Sequence, residues 1–184
     1  MHTVLPCFLL VLVSEMGDKT QLLALVLALR FRRPWPIMAG ILVATLANHG
    51  LASWLGAAAA AWIGPVALKW GLACVFFGFA AWLLVPDKDE GLDERPRGGV
   101  FWTTVVLFFL AEMGDKTQLA TIALGARYAD PLLVTAGTTL GMLAADGLAV
   151  AFGDKLTARI PMDWVRRAAS LLFALFGAAL LWRG

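Results

Sequence analysis

"EMGDKTQL" occupies Glu15 to Leu22 and recurs letter for letter at Glu112 to Leu119. Each copy sets two carboxylates and a lysine inside an apolar run; "HTVLPCFLLVLVS" leads into the first and "LALVLALRF" follows it. An ionisable side chain surrounded by hydrocarbon is costly, and where it occurs it marks a functional site by default. Two identical clusters make an inert, self-neutralised pair of charges a poor account of the pattern.

The rest of the chain is the solvent for these charges. Of 184 residues, 60% are hydrophobic and 15% charged, a composition that points to an integral membrane protein rather than a soluble domain. A hydrocarbon core of roughly 30 Å needs about 20 apolar residues per helix. Hydropathy and turn signals then predict an all-α fold with six spans, near Val4 to Leu29, Trp35 to Trp62, Val66 to Val85, Val100 to Ala126, Leu132 to Phe152 and Val165 to Trp182. The amino terminus lacks a basic segment and a cleavage pattern, so it reads as a retained first span. "PDKDEGLDERPRGG", Pro86 to Gly99, is the one strongly hydrophilic stretch and reads as a solvated linker. Net charge is +2, too mild for a nucleic-acid partner, and Cys7 and Cys74 stand in apolar runs as small hydrophobes.

The repetition extends beyond the motif. The offset of 97 that carries Glu15 onto Glu112 also carries Pro34 onto Pro131, Gly40 onto Gly137, Gly50 onto Gly147, Gly56 onto Gly153 and Phe76 onto Phe173, without a gap. The expected organisation is therefore a first three-helix repeat at 1–86, an acidic cytoplasmic linker at 87–99 and a second three-helix repeat at 100–184, all one membrane domain. A unit with an odd number of spans enters its second copy from the opposite face, so the two repeats are expected to be inverted, with their motifs facing each other near mid-depth. Ten basic residues fall in the odd-numbered loops (Arg30, Arg32, Arg33, Lys88, Arg95, Arg97, Lys155, Arg159, Arg166, Arg167) against three on the other side (Lys69, Arg127, Arg183). The positive-inside rule places the odd loops in the cytoplasm and both termini outside.

On an unbroken helix, about 100° per residue puts Glu15, Asp18 and Gln21 on one face, and Glu112, Asp115 and Gln118 on the matching face. Lys19 follows Glu15 by one turn, where an ion pair along the helix is easy. Gly17 and Gly114 permit either close helix approach or a local break. Four carboxylates and two lysines leave a formal charge of −2, which one divalent cation or two protons would cancel; the arithmetic suggests exchange of one for the other. Carboxylate and amide oxygens suit Ca²⁺, Mn²⁺ or Mg²⁺, and no Cys/His cluster exists for zinc or copper. Met16 and Met113 point away from the acids, toward core or lipid.

The second span of each repeat adds a further pair, since the offset carries His49 onto Asp146. Either serves as a proton carrier or outer ligand, with Asn48 as a partner for His49, or as an ordinary packed residue. Thr20 and Thr117 either offer hydroxyl oxygens or back-bond to their own helix. "GDKL" at Gly153 to Leu156 echoes the motif, but Ala151 stands where its glutamate would be, and its charges read as solvated. Trp35, Trp62, Trp102, Trp164 and Trp182 lie near span ends and read as interfacial anchors.

Two copies of Glu-x-Gly-Asp-Lys-Thr, each on the first span of a three-span repeat and joined by an acidic linker, resemble the calcium/manganese:proton exchanger family of Golgi membranes and its bacterial manganese-exporter branch. The resemblance covers nearly the whole chain. It implies secondary active export of Mn²⁺ or Ca²⁺ from the cytosol in exchange for protons, with Glu15, Asp18, Glu112 and Asp115 as the cation site and Lys19, Thr20, Lys116 and Thr117 completing the pattern. The cation is cargo and no cofactor is implied. Compactness makes the chain similar to bacterial members, which implies the plasma membrane and favours Mn²⁺. The competing readings are an exporter of amino acids or other small solutes, which asks for a larger and less acidic cavity, and a membrane-embedded metal-dependent hydrolase, for which no Ser/His or Cys/His nucleophile pattern exists. A scaffold gives no reason for charges at depth. The partners expected are the cation, protons and the lipid bilayer; the sequence leaves the oligomeric state open, a homodimer included.

Overall fold

A computed structural model describes residues 2–85, 99–152 and 162–183. The acidic linker and the "GDKL" stretch lie outside the described residues. Those described form helices α1 (Val4–Glu15), α2 (Lys19–Phe31), α3 (Pro34–Ala60), α4 (Pro65–Trp82), α5 (Val100–Glu112), α6 (Lys116–Tyr128), α7 (Pro131–Phe152) and α8 (Met162–Arg183), with no strand among them. By length and composition α3, α4, α7 and Asp163–Trp182 within α8 can each cross a membrane, and α1 and α5 are shorter apolar helices. The chain is a multi-pass helical membrane protein. Trp35, Trp62 and Trp182 stand almost fully exposed at helix ends.

The first and fourth expected spans are not single helices. Each is interrupted inside the motif, so that α1 and α2, and likewise α5 and α6, are short segments of 12 or 13 residues. At 1.5 Å per residue each is roughly 18–20 Å long and falls short of the hydrocarbon thickness alone. The other expected spans match α3, α4, α7 and α8 to within a few residues at each end. The offset of the sequence repeat carries Lys19–Phe31 onto Lys116–Tyr128.

Helix termini follow local chemistry. Arg32 and Ala129, 97 residues apart, both take left-handed backbone conformations with φ of 51°, and their N–H groups donate to Ala28 O and Gly125 O at 2.9 Å. This is the single-bond αL termination of a helix. Prolines then open the next helices at Pro34 and Pro131, where a missing N–H costs nothing.

Packing brings the two copies together. Helix α3 packs on α5, α6 and α7, α1 packs on α7, and α4 packs on α8. Phe76 and Phe173, counterparts in the repeat, meet at 6.0 Å between ring centroids, and Phe79 meets Phe173 edge-on at 5.9 Å. At the described glycines the tightest approach is between α3 and α6. A Cβ on Gly56 would lie 1.9 Å from the Ile122 carbonyl oxygen, and one on Gly125 would lie 2.3 Å from the Ser53 carbonyl oxygen. Ser53 Oγ in turn reaches Thr135 Oγ1 at 2.7 Å and Pro131 O at 3.2 Å, tying this end of α3 to the start of α7. The related pair, α2 and α7, is in looser contact.

Because the atoms that block a side chain at Gly56 are backbone, Gly56→Ala should lower stability by about 1–3 kcal/mol, as overpacking does. Gly71→Ala, where nothing stands within 4 Å, should be neutral within about 0.5 kcal/mol. Thermal melting of the detergent-solubilised variants measures both.

Candidate functional site

The motif builds a turn between two helices. Met16 and Met113 adopt φ/ψ of −65/115° and −67/115°, and Gly17 and Gly114 follow with φ of +81° and +77°. Asp18 N donates to Glu15 O, and Asp115 N to Glu112 O, each at 3.1 Å. These are the marks of a type II turn, whose third residue needs positive φ and hence glycine. Asp18 then caps α2, its Oδ1 accepting from Lys19 N at 2.8 Å. Gln21 Oε1 accepts from Gly17 N, and Gln118 Oε1 from Gly114 N, both at 2.8 Å. Aspartate followed three residues later by glutamine is thus a relative of the capping box, reaching back over the turn.

The break changes where every charge points. The single-face arrangement expected of an unbroken helix is replaced by glutamates at the carboxyl ends of α1 and α5 and aspartates at the amino ends of α2 and α6. Lys19 does not pair back with Glu15 along one helix. Its Nζ lies 2.9 Å from Asp115 Oδ1 of the other copy, and Lys116 Nζ lies 3.7 Å from Asp18 Oδ1. Gln21 and Gln118, expected as oxygen ligands, spend their oxygens on the turn. Their amide nitrogens go to Ala145 O at 2.9 Å and Asn48 Oδ1 at 3.4 Å.

The acids themselves converge. Ligand oxygens of Glu15, Glu112 and Asp115 all lie within 4.8 Å of one another, and all three residues are buried. Glu15 accepts hydrogen bonds from Thr20 Oγ1 at 2.6 Å and from Thr117 Oγ1, which crosses from the other copy. Glu112 receives neither hydroxyl, and both of its oxygens are buried without a hydrogen-bond partner. His49 Nε2 stands 3.8 Å from Glu112 Oε2, with both residues at 0% exposure. Asn48 does not partner His49; its Nδ2 donates to Phe109 O at 3.1 Å. Asp146, the counterpart of His49, is fully buried with both oxygens unpartnered.

A cavity of about 80 Å³ opens beside the motifs, lined among others by Ser14, Gly17, Asp18, Lys19, Lys116 and Arg166. Glu15 and Glu112 lie deeper, at 0% exposure. Oxygen-rich, anionic and buried, with acceptors left unsatisfied, the cluster suits a hard divalent cation. Sequence reasoning missed two features: the crossing of Thr117 to Glu15, which spacing along one helix cannot reveal, and Arg166 at the cavity wall, a residue counted only toward topology.

Comparison with known proteins gives this chemistry a family. A family model described as "Divalent cation/proton antiporter GDT1" matches residues 3–91 and 100–184. A protein of Vibrio cholerae serotype O1 named "Putative manganese exporter" is 48% identical over 170 residues, covering 92% of this chain and 85% of the relative. A GDT1-like protein of Synechocystis is 31% identical, covering 95% and 94% of the two chains, and GDT1-like protein 3 of Arabidopsis thaliana is 28% identical, covering 94% and 68%. No solved structure matches.

The positive φ at the two turns gives a direct test of the break. Gly17→Ala and Gly114→Ala should each cost about 1–2 kcal/mol, the penalty of a side chain in left-handed backbone. Chemical denaturation of each single variant in micelles reads that cost, and an unchanged midpoint in both would argue against the turn.

Proposed function

The chain belongs to the divalent cation/proton antiporter GDT1 family, whose members are transporters and not enzymes, and on that footing we propose that it exports Mn²⁺, with Ca²⁺ as a competing cargo, from the cytosol in exchange for protons. The observation that carries this reading is the meeting of Glu15, Glu112 and Asp115 from the two copies within 4.8 Å, all three buried. Carboxylates so close repel one another strongly in a medium of low dielectric, and the repulsion is relieved by a bound cation or by protons. Four motif acids facing Lys19 and Lys116 leave −2, so one divalent ion and two protons are interchangeable occupants. Competition between them for one site is coupling by electrostatics alone.

The residue roles follow. Glu15, Asp18, Glu112 and Asp115 form the cation site; Lys19 and Lys116 hold Asp115 and Asp18 across the boundary between copies; Thr20 and Thr117 orient Glu15; and Asp146 carries a proton. Gln21 and Gln118 pin the turns instead of binding the ion. The membrane arrangement proposed is two inverted three-helix repeats, 1–86 and 100–184, joined by the cytoplasmic segment 87–99, in the plasma membrane of a bacterium with both termini outside. Alternating access would then come from rocking of one repeat against the other around the shared acids. Export of amino acids fits less well, since the groups that converge are three carboxylates within 4.8 Å of one another, a spacing that suits a single ion.

Purified protein in liposomes with an internal pH dye tests the proposal. An imposed Mn²⁺ gradient should drive proton movement in the opposite direction, and Glu112→Gln and Asp115→Asn should each abolish both fluxes while leaving the protein monodisperse. Undiminished Mn²⁺ flux in both variants would overturn the assignment of the site, and Mn²⁺ flux without proton movement would overturn the exchange.

A further inference from the structure

The two copies are chemically unequal at one buried position. Where the second copy has Asp146 on α7, an oxygen donor, the first has His49 on α3, the chain's one histidine besides His2 near the amino terminus. His49 is at 0% exposure and neither ring nitrogen has a hydrogen-bond partner. A buried imidazole that satisfies neither nitrogen forfeits its solvation without recompense, and such a group asks for an explanation. Its nearest anionic neighbour is Glu112, whose two oxygens are also buried and unpartnered. The separation of 3.8 Å between His49 Nε2 and Glu112 Oε2 is too long for a hydrogen bond. It does suit two atoms that share an ion: ligands each about 2.2 Å from one metal lie roughly 3–4.4 Å apart, depending on the angle between them.

The contrast with Glu15 sharpens the point. Thr20 and Thr117 both donate to Glu15, so the hydroxyls of both copies are committed to one glutamate. The other glutamate is left facing the imidazole. Ca²⁺ and Mg²⁺ take oxygen ligands, whereas first-row transition ions accept imidazole nitrogen as well. His49 stands outside the group of Glu15, Glu112 and Asp115 and meets it at Glu112; a nitrogen at that edge tilts a site that oxygen alone would leave open to Ca²⁺, for an ion drawn to the Glu112 side.

We propose that His49 is a nitrogen ligand which the transported ion shares with Glu112, and that it makes the site select a first-row transition ion such as Mn²⁺ over Ca²⁺. This rests on the reading of the motif acids as the cation site. His49 thereby becomes the residue that sets cargo identity, while the acids set its charge.

The test uses the full chain in detergent micelles and in liposomes, with Mn²⁺ and Ca²⁺ as the probes. Pulsed EPR of Mn²⁺ bound to the unaltered protein should show hyperfine coupling to a directly bound nitrogen, and the coupling should vanish in His49→Asn and His49→Gln. Calorimetric titration should show Mn²⁺ affinity falling by at least about tenfold in these variants, the scale on which even the outer partners of metal ligands act. Ca²⁺ affinity should hold or rise, and liposome flux should shift from Mn²⁺ toward Ca²⁺. Bound Mn²⁺ without nitrogen coupling, or an unchanged Mn²⁺ to Ca²⁺ ratio in folded variants, would overturn the role of His49 while leaving the cation site standing. Failure of the unaltered protein to bind either ion would overturn both.

Discussion

Everything in this bundle answers to one constraint: carboxylates buried in an apolar interior must be compensated by groups brought to them, because water is not there to do it. Each copy of the motif draws part of its compensation from the other. Asp115 finds its cation in Lys19, Asp18 faces Lys116, and Glu15 takes a hydroxyl from each copy. Separated, the copies would each expose uncompensated charge to hydrocarbon. These contacts tie the two halves together, and α3, packed on α5, α6 and α7, joins them over a longer surface.

The breaks make the exchange geometrically attainable. A straight helix through the motif would carry Lys19 up the same side as Glu15 and leave the acids of each copy on its own helix. Turning the chain at Gly17 and Gly114 ends one helix at the glutamate and starts another at the aspartate. In each copy a carboxyl end and an amino end then meet at the motif. The carboxyl ends of α1 and α5 carry partial negative charge and the amino ends of α2 and α6 partial positive charge, which favours the aspartates placed there, as in other transporters built on discontinuous helices. The glutamines that brace the turns are part of the same device, and that is why they are spent on Gly17 N and Gly114 N.

Much of this was legible from the residues. Apolar run length located α3, α4, α7 and α8, because a hydrocarbon slab imposes a length that turn-forming residues then punctuate. The duplication located the partner of each site residue. The break was spelled out too, by glycine at the turn, aspartate as cap and glutamine three positions on, but a helical wheel assumes continuity and so misplaced Lys19 and both glutamines. What no pattern along a chain contains is which copy a side chain reaches. Thr117 crossing to Glu15, and Asn48 turning to Phe109 rather than His49, depend on the packing of α3 against α5 and α6.

One last asymmetry lies in the α3 and α6 contact. Ser53 and Gly125 have Val150 and Ala28 as their counterparts in the other copy, and of the contact residues only Gly56 has a glycine as counterpart, Gly153. A methyl group at residue 28 could not come as near to a backbone at residue 150 as Gly125 comes to Ser53, where a Cβ would fall 2.3 Å from a carbonyl oxygen. Duplication supplied two helix contacts cut from one pattern, and later substitution left α2 with α7 unable to close as tightly as α6 with α3. The bundle is therefore lopsided where its repeated sequence alone would make its halves alike.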